Sequence, residues 1–289
     1  MNQVNLFGCG SWGSKIKATL ELMKIKVNVI DPIYSTSIVD SNPAYPAIIA
    51  TPTNTHFDLS VELIQRGYDI LIEKPIATSA SQIQALIDTN TNSIIMPGHL
   101  YMYHPLLNTF KNIITELGKP KLIHFVRTNF GKYQTDIDVL HNIAFHDFSI
   151  LHHLYKDIDI THVSGFDLSN QIDRCLVVGT GNNIPFQLEA SWLGARRERT
   201  ITFYGDQGHA IWDSDANTIE VSNFSLIPFK KETRTIKGPN IDSLQVELIH
   251  FLDCVKHRLQ PSTKLIDALE IETLINQAIE ISHITNPNH

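Results

Sequence analysis

The sequence predicts an α/β protein in two regions: a doubly wound parallel sheet over residues 1–99, and an α+β region with an open, mainly antiparallel sheet over residues 100–289. Three observations carry this. Up to residue 98, short and wholly apolar segments alternate with segments of helical periodicity. Beyond it come helices and short strands, the strands punctuated by Gly, Asn-Asn and Gly-Asp turns. The 289 residues, 43% hydrophobic and 18% charged, are enough for two buried cores at about 100–200 residues per domain. Continuously apolar strands are buried on both faces, the condition of a parallel sheet covered by helices.

Val4-Asn5-Leu6-Phe7 reads as the first buried strand, followed by a glycine turn, a helix over residues 15–23 and a second strand at Val27-Asn28-Val29-Ile30. A third strand, Ala47-Ile48-Ile49-Ala50, leads into a helix over 56–66. The strand Asp69-Ile70-Leu71-Ile72, a helix over 79–88 and the strand Ser93-Ile94-Ile95-Met96 complete the series at Pro97-Gly98. Right-handed crossovers make this alternation a Rossmann-like domain. In the second region, a helix over 106–117, a strand over 121–128 and a helix over 139–155 precede several short strands up to residue 237. Two helices, 243–257 and 266–281, close the chain, and the last can pack back on the first domain. A sheet face without helices is an expected surface for a second copy, in a homodimer or homotetramer.

Lys and Arg number 23 against 30 Asp and Glu, a net charge of −7, so nucleic acid is not expected as the main partner. No apolar stretch approaches the ~18 residues that cross a bilayer, and Met1-Asn2-Gln3 runs into an apolar segment without a basic leader. A cytoplasmic protein without a membrane partner is expected. Cys9, Cys175 and Cys254 lie far apart without C-x-x-C spacing, so neither a disulfide framework nor a thiolate zinc site is expected. His141, His146, His152 and His153 match no H-E-x-x-H pattern, and no metal is expected.

Gly8-Cys9-Gly10-Ser11-Trp12-Gly13 follows the first strand and opens a helix. Glycines there permit the tight turn and let backbone N–H groups reach a pyrophosphate at the helix N-terminus. Asp31 ends the second strand about 20 residues beyond these glycines, where an acid binds a ribose 2′-hydroxyl. NAD is therefore the expected cofactor, with NADP possible. Thr51, Pro52, Thr53 and His56 lie at the carboxyl end of the third strand, in the crevice where open α/β sheets bind ligands. Glu73-Lys74-Pro75 ends the fourth strand on the same rim and brings an ammonium there.

In order and spacing, the glycine motif, Ala50-Thr51-Pro52-Thr53-Asn54-Thr55-His56, Glu73-Lys74-Pro75 and Leu140-His141-Asn142-Ile143-Ala144-Phe145-His146-Asp147 resemble the glucose-fructose oxidoreductase/inositol dehydrogenase (Gfo/Idh/MocA) family over nearly the whole length. The resemblance implies a nicotinamide cofactor, bound in part by Glu73 and Lys74, and oxidation or reduction of a sugar-like secondary alcohol. It also implies that Lys74 and a helical Asp-x-x-x-His pair reach the reacting hydroxyl, here Asn142 and His146. An amide hydrogen-bonds a hydroxyl but cannot take its proton, so His146 is the expected general acid/base, with Lys74 and Asn142 as its partners.

Ser191-Trp192-Leu193-Gly194-Ala195-Arg196-Arg197-Glu198-Arg199 resembles the branch acting on nucleotide-linked sugars, where Arg196 and Arg197 would fork a diphosphate. The bland reading is a solvated strand. Two other functions stay open at this point. One is a sensor that binds NAD or a sugar nucleotide without turnover, motivated by Asn142. The other is a dehydrogenase of a free polyol or monosaccharide.

Overall fold

The computed structural model describes residues 2–31, 37–89, 92–130, 137–166 and 172–285. By contacts the chain divides into two compact units, Met1–Tyr103 with Ile241–Glu272, and His104–Asn240 with Thr273–His289.

The first unit holds five parallel strands: β1 Gln3–Phe7, β2 Lys26–Ile30, β3 Ala47–Ile49, β4 Ile70–Glu73 and β5 Ile95–Gly98. Their order is β2-β1-β3-β4-β5. The helices of this alternation are α1 Ser11–Leu22, α2 His56–Gln65 and α3 Ala80–Ile87. The period-two rule explains the two cores. Val4, Leu6, Ile48, Leu71 and Met96 face one way and pack with Ile16 and Leu20 of α1. Phe7, Ala47, Ile49, Ile70 and Ile72 face the other way and pack with Leu63 and Ile64 of α2 and Ile83 and Leu86 of α3.

Residues 241–272, which the sequence reading assigned to the second region, belong with the first unit. The helix α6, Ser243–His257, buries Leu244, Leu248, Phe251 and Leu252 in the same core as Val4 and Leu6. Each such side chain contributes roughly 1.5–3 kcal/mol of transfer free energy, more than enough to fix the helix there. Periodicity identifies such a helix but not the sheet that receives it.

The second unit holds an eight-stranded sheet of order β13-β12-β11-β10-β6-β9-β8-β7. Its strands are β6 Pro120–Phe130, β7 Ile158–Phe166, β8 Arg174–Gly181, β9 Ile184–Ser191, β10 Leu193–Gly205, β11 Gly208–Asp213, β12 Thr218–Leu226 and β13 Phe229–Lys237. Among the described residues each ladder of this sheet is antiparallel except β6 with β9, which is parallel. The helices α4 Leu107–Thr115 and α5 Phe145–Leu154 belong to this unit, and α7 Leu265–Thr285 begins in the first unit and ends in the second. Among the described residues no helix is long and apolar enough to cross a membrane.

Candidate functional site

In the order β2-β1-β3 the crossovers from β1 diverge, which opens a crevice beyond the carboxyl ends of β1 and β3. The glycine motif occupies this place, and its glycines meet different needs. Gly8 has φ +87°, and a Cβ there would lie 2.6 Å from the Ala50 carbonyl oxygen, so the loop rests directly on the end of β3. A Cβ on Gly13 would lie 2.2 Å from the Gly8 carbonyl oxygen, so α1 is drawn tight against the loop. A Cβ on Gly10 would meet nothing within 4 Å. The protein itself fills no space above Gly10, which is where a pyrophosphate would lie.

The helix α1 starts at Ser11, directly on the motif and earlier than the expected residue 15. Its Gly10 N-cap has no side-chain hydrogen bond and its first turn carries no acid, which leaves the positive helix end for an anion. Asp31 is buried at the end of β2, and its Oδ2 accepts the Cys9 N–H at 2.7 Å. The expected ribose-binding carboxylate therefore also braces the glycine loop. Gly8, Gly10, Ser11, Trp12, Gly13 and Asp31 thus form one continuous rim that fits a dinucleotide.

Thr51, Pro52 and Thr53 form the next segment of the rim. Thr55 Oγ1 donates to Thr51 Oγ1 at 2.7 Å and lies 2.8 Å from the Pro52 carbonyl oxygen, so hydroxyls hold this turn closed. His56 sits elsewhere than the expected cofactor-facing position. It is 2% exposed, with Nδ1 2.7 Å from the Pro75 carbonyl oxygen and Nε2 2.8 Å from that of Thr51, so both ring nitrogens are turned to the protein's own backbone. Lys74 is half-buried immediately after β4.

Glu73 also turns inward. Its carboxyl is buried, and burial pushes its pKa up to about 7, against the opposing pull of the Trp12 N–H and the Lys74 ammonium. The Trp12 indole is close enough to favour the ionised form but not at hydrogen-bonding geometry. The neighbour that sequence reasoning missed is Glu247 of α6. It is 1% exposed, and burial followed by the charge of Glu73 raises its pKa well above the ordinary carboxylate range. One oxygen of each carboxyl, Oε1, has no hydrogen-bond partner. Glu247 looks like an ordinary helix residue in sequence. Its place within the apolar stripe of Leu244, Leu248 and Phe251, three residues after the first and four before the last, was the only signal that it could face inward.

The second unit carries Asn142 and His146. A π-helical turn, Leu140–Ala144, precedes α5, so the stretch expected as one helix over 139–155 begins with an extra residue per turn. Asn142 lies on that turn and His146 in the first turn of α5, both half-buried. Simple α-helical i, i+4 stacking therefore does not describe the pair. Next to His146, Asp147 accepts two hydrogen bonds from buried Arg127 of β6, from Nε at 2.8 Å and Nη2 at 2.7 Å. Burial outweighs the guanidinium and leaves the Asp147 pKa raised. This fork pins α5 to the sheet and fixes the backbone that presents His146. Asp147 stood in the quoted motif, but Arg127 is 20 residues away on the strand β6.

Arg196 and Arg197 protrude where the register of β10 against β6 shifts, between Leu193 and Glu198. The Thr128 hydroxyl donates to the Arg196 carbonyl at 2.9 Å and holds this irregular segment. Arg196, 80% exposed, forks Glu198, and Arg197 forks Asp215 at 2.6 and 2.7 Å. The Arg197 bond holds the Asp215 carboxyl below its usual range. Carboxylates thus hold the two guanidinium groups in place.

With this geometry in hand, residues 28–96 match the model of the Gfo/Idh/MocA oxidoreductase family, described as an NAD-binding Rossmann fold. Over that segment the chain is similar to the family. It is 26% identical over 179 residues to a UDP-N-acetylglucosamine 3-dehydrogenase of Acidithiobacillus ferrooxidans, covering 60% of this chain and 56% of that protein. It is 25% identical over 262 residues to the scyllo-inositol 2-dehydrogenase (NAD(+)) of Bacillus subtilis, covering 76% and 70%. The solved structure of the Acidithiobacillus ferrooxidans enzyme superposes with a TM-score of 0.85 at 19% identity, covering 98% of this chain and 97% of that one, and so shares the fold. The alignment to the first relative thus spans little more than half of that relative's length.

Proposed function

We propose that this oxidoreductase transfers hydride between NAD and a secondary alcohol of a nucleotide-linked sugar. The observation that carries the reading is the glycine loop at the β1/β3 crevice, with open space above Gly10 and Lys74 on the same rim. The amides at the start of α1 would hold the pyrophosphate, and Asp31 would hold the ribose, which favours NAD over NADP. The dinucleotide, when bound, supplies the hydride acceptor or donor. Lys74 offers an ammonium to the substrate oxygen and stabilises negative charge that develops there. His146 accepts or returns the hydroxyl proton, and the Asn142 amide orients the hydroxyl.

The nucleotide-linked substrate is supported by the likeness to the UDP-N-acetylglucosamine 3-dehydrogenase. Arg196 and Arg197 would meet the diphosphate, exchanging carboxylate partners for phosphate. The uncovered face of the large sheet, where Leu176 and Tyr204 are exposed, is our proposed contact for a second copy. A second reading, a binding protein without turnover, is favoured by the amide at Asn142 on its π-helical turn.

An absorbance assay for reduced nicotinamide separates these readings. Purified protein with NAD+ is given UDP-N-acetylglucosamine or, in parallel, a free inositol. Turnover of the nucleotide sugar above the inositol is expected. Turnover of the inositol alone would transfer the substrate class to free polyols, and cofactor binding without any turnover would favour the sensor.

A further inference from the structure

We propose that His56 is a positioning residue for Lys74, acting as a proton-linked tie between the turn after β3 and the turn after β4. The inference rests on the reading of Lys74 as a catalytic residue, and its geometry lies wholly within the first unit.

Nδ1 lies 2.7 Å from the Pro75 carbonyl oxygen and Nε2 2.8 Å from that of Thr51. Carbonyl oxygens only accept. A neutral imidazole carries one N–H, so it serves one of the two carbonyls and turns a lone pair toward the other. The imidazolium carries two and serves both. The ring is 2% exposed, so water does not substitute for the second donor. Pro75 follows Lys74 directly, and Thr51 opens the hydroxyl-bearing turn of the rim. One ring therefore sets the spacing of two segments that β3 and β4 leave unpaired with each other beyond Ile49 and Ile72.

The surroundings decide how the proton is held. Burial works against the cation and draws the pKa of His56 down from 6.5, while the carbonyls of Pro75, Thr51 and Glu73 push it back up. Of the elements packed on α2, β3, α3 and the turn Thr53–Thr55 carry no ionisable side chain. β4 carries Glu73, followed by Lys74, and α2 itself carries Asp58 and Glu62. Proton uptake at the ring thus answers first to burial and then to the carbonyls of the two turns, and loss of the proton releases one of them.

The test uses the full chain with labelled histidine and labelled carbonyl carbons. The His56 ring and the Thr51 and Pro75 carbonyls are followed by NMR from pH 8 to pH 5, with His56→Gln for assignment. We expect the ring to titrate below 6.5 and both carbonyl signals to move with its midpoint. A ring that stays neutral throughout, or a ring whose titration moves only one carbonyl, would overturn the tie. In turnover assays, His56→Phe is expected to lower kcat on the order of 10²-fold by misplacing Lys74, with NADH affinity unchanged. His56→Gln, which keeps an amide donor, should lose less. Equal losses in both variants, or a loss confined to NADH affinity, would contradict the positioning role. Because the carbonyl signals are read without substrate, an inactive wild-type protein would refute the dehydrogenase reading while leaving the tie to be judged by NMR alone.

Discussion

Replacing Lys74 by alanine is expected to lower turnover by about 10²- to 10⁴-fold, the range typical for loss of a positioned acid–base or charge-stabilising group. NADH affinity should change little. The reason lies in the division of labour along the rim of the first unit. In the proposed reading the pyrophosphate and ribose would be held by the glycine loop, the start of α1 and Asp31, which Lys74 does not build. The ammonium follows the end of β4 and is half-buried, where its charge counts for more than in bulk water. Steady-state kinetics on UDP-N-acetylglucosamine, with NADH binding measured separately, checks this. Full turnover at saturating cofactor, combined with weakened NADH binding, would turn Lys74 into a cofactor contact and remove it from the chemistry.

The second large effect is on stability and comes from the buried carboxyls of Glu73 and Glu247. Both have folded-state pKa values raised above those of the unfolded chain, chiefly by burial. The folded protein therefore binds more protons than the unfolded chain across the window from about 4.5 upward, and stability falls as pH rises through that window. For Glu73 the contribution is fully present below 4.5 and is lost as pH passes about 7. Glu247 extends the loss to higher pH. In Glu247→Gln the amide keeps the shape and never ionises, so the variant should gain on the wild-type protein between pH 5 and pH 8. Urea unfolding at these two pH values measures the difference. Equal pH slopes in the two proteins would show that the pair does not hold its proton through neutral pH.

The parallel sheet was legible in the sequence because its strands are continuous apolar runs. Val4 to Phe7, Ala47 to Ile49 and Ile70 to Ile72 leave no polar face to misassign, apart from Asn5. That residue is buried and bonded to the Asn42 and Tyr45 carbonyls. The glycine motif was legible because Gly8 and Gly13 answer to steric contacts that any such loop must solve. What depends on distant packing was not legible. The apolar stripe of α6 identified a helix but not its sheet, and Glu247 came into view only with that packing. Arg127 and Asp147 are far apart in sequence and meet only when β6 lies against α5. His56 was read as one residue of the ligand-binding turn after β3, without the direction of its ring. Sequence position locates a histidine on a rim without saying whether its ring points outward or, as here, to the carbonyls of Thr51 and Pro75.

The central claim, that the first unit is a working dinucleotide site belonging to a sugar dehydrogenase, is tested most directly by fluorescence titration of the purified protein. NADH and NADPH are titrated separately, each with and without UDP-N-acetylglucosamine. The account predicts saturable NADH binding, tighter than that of NADPH because Asp31 repels a 2′-phosphate, and strengthened by the nucleotide sugar. Failure of both cofactors to bind would contradict it.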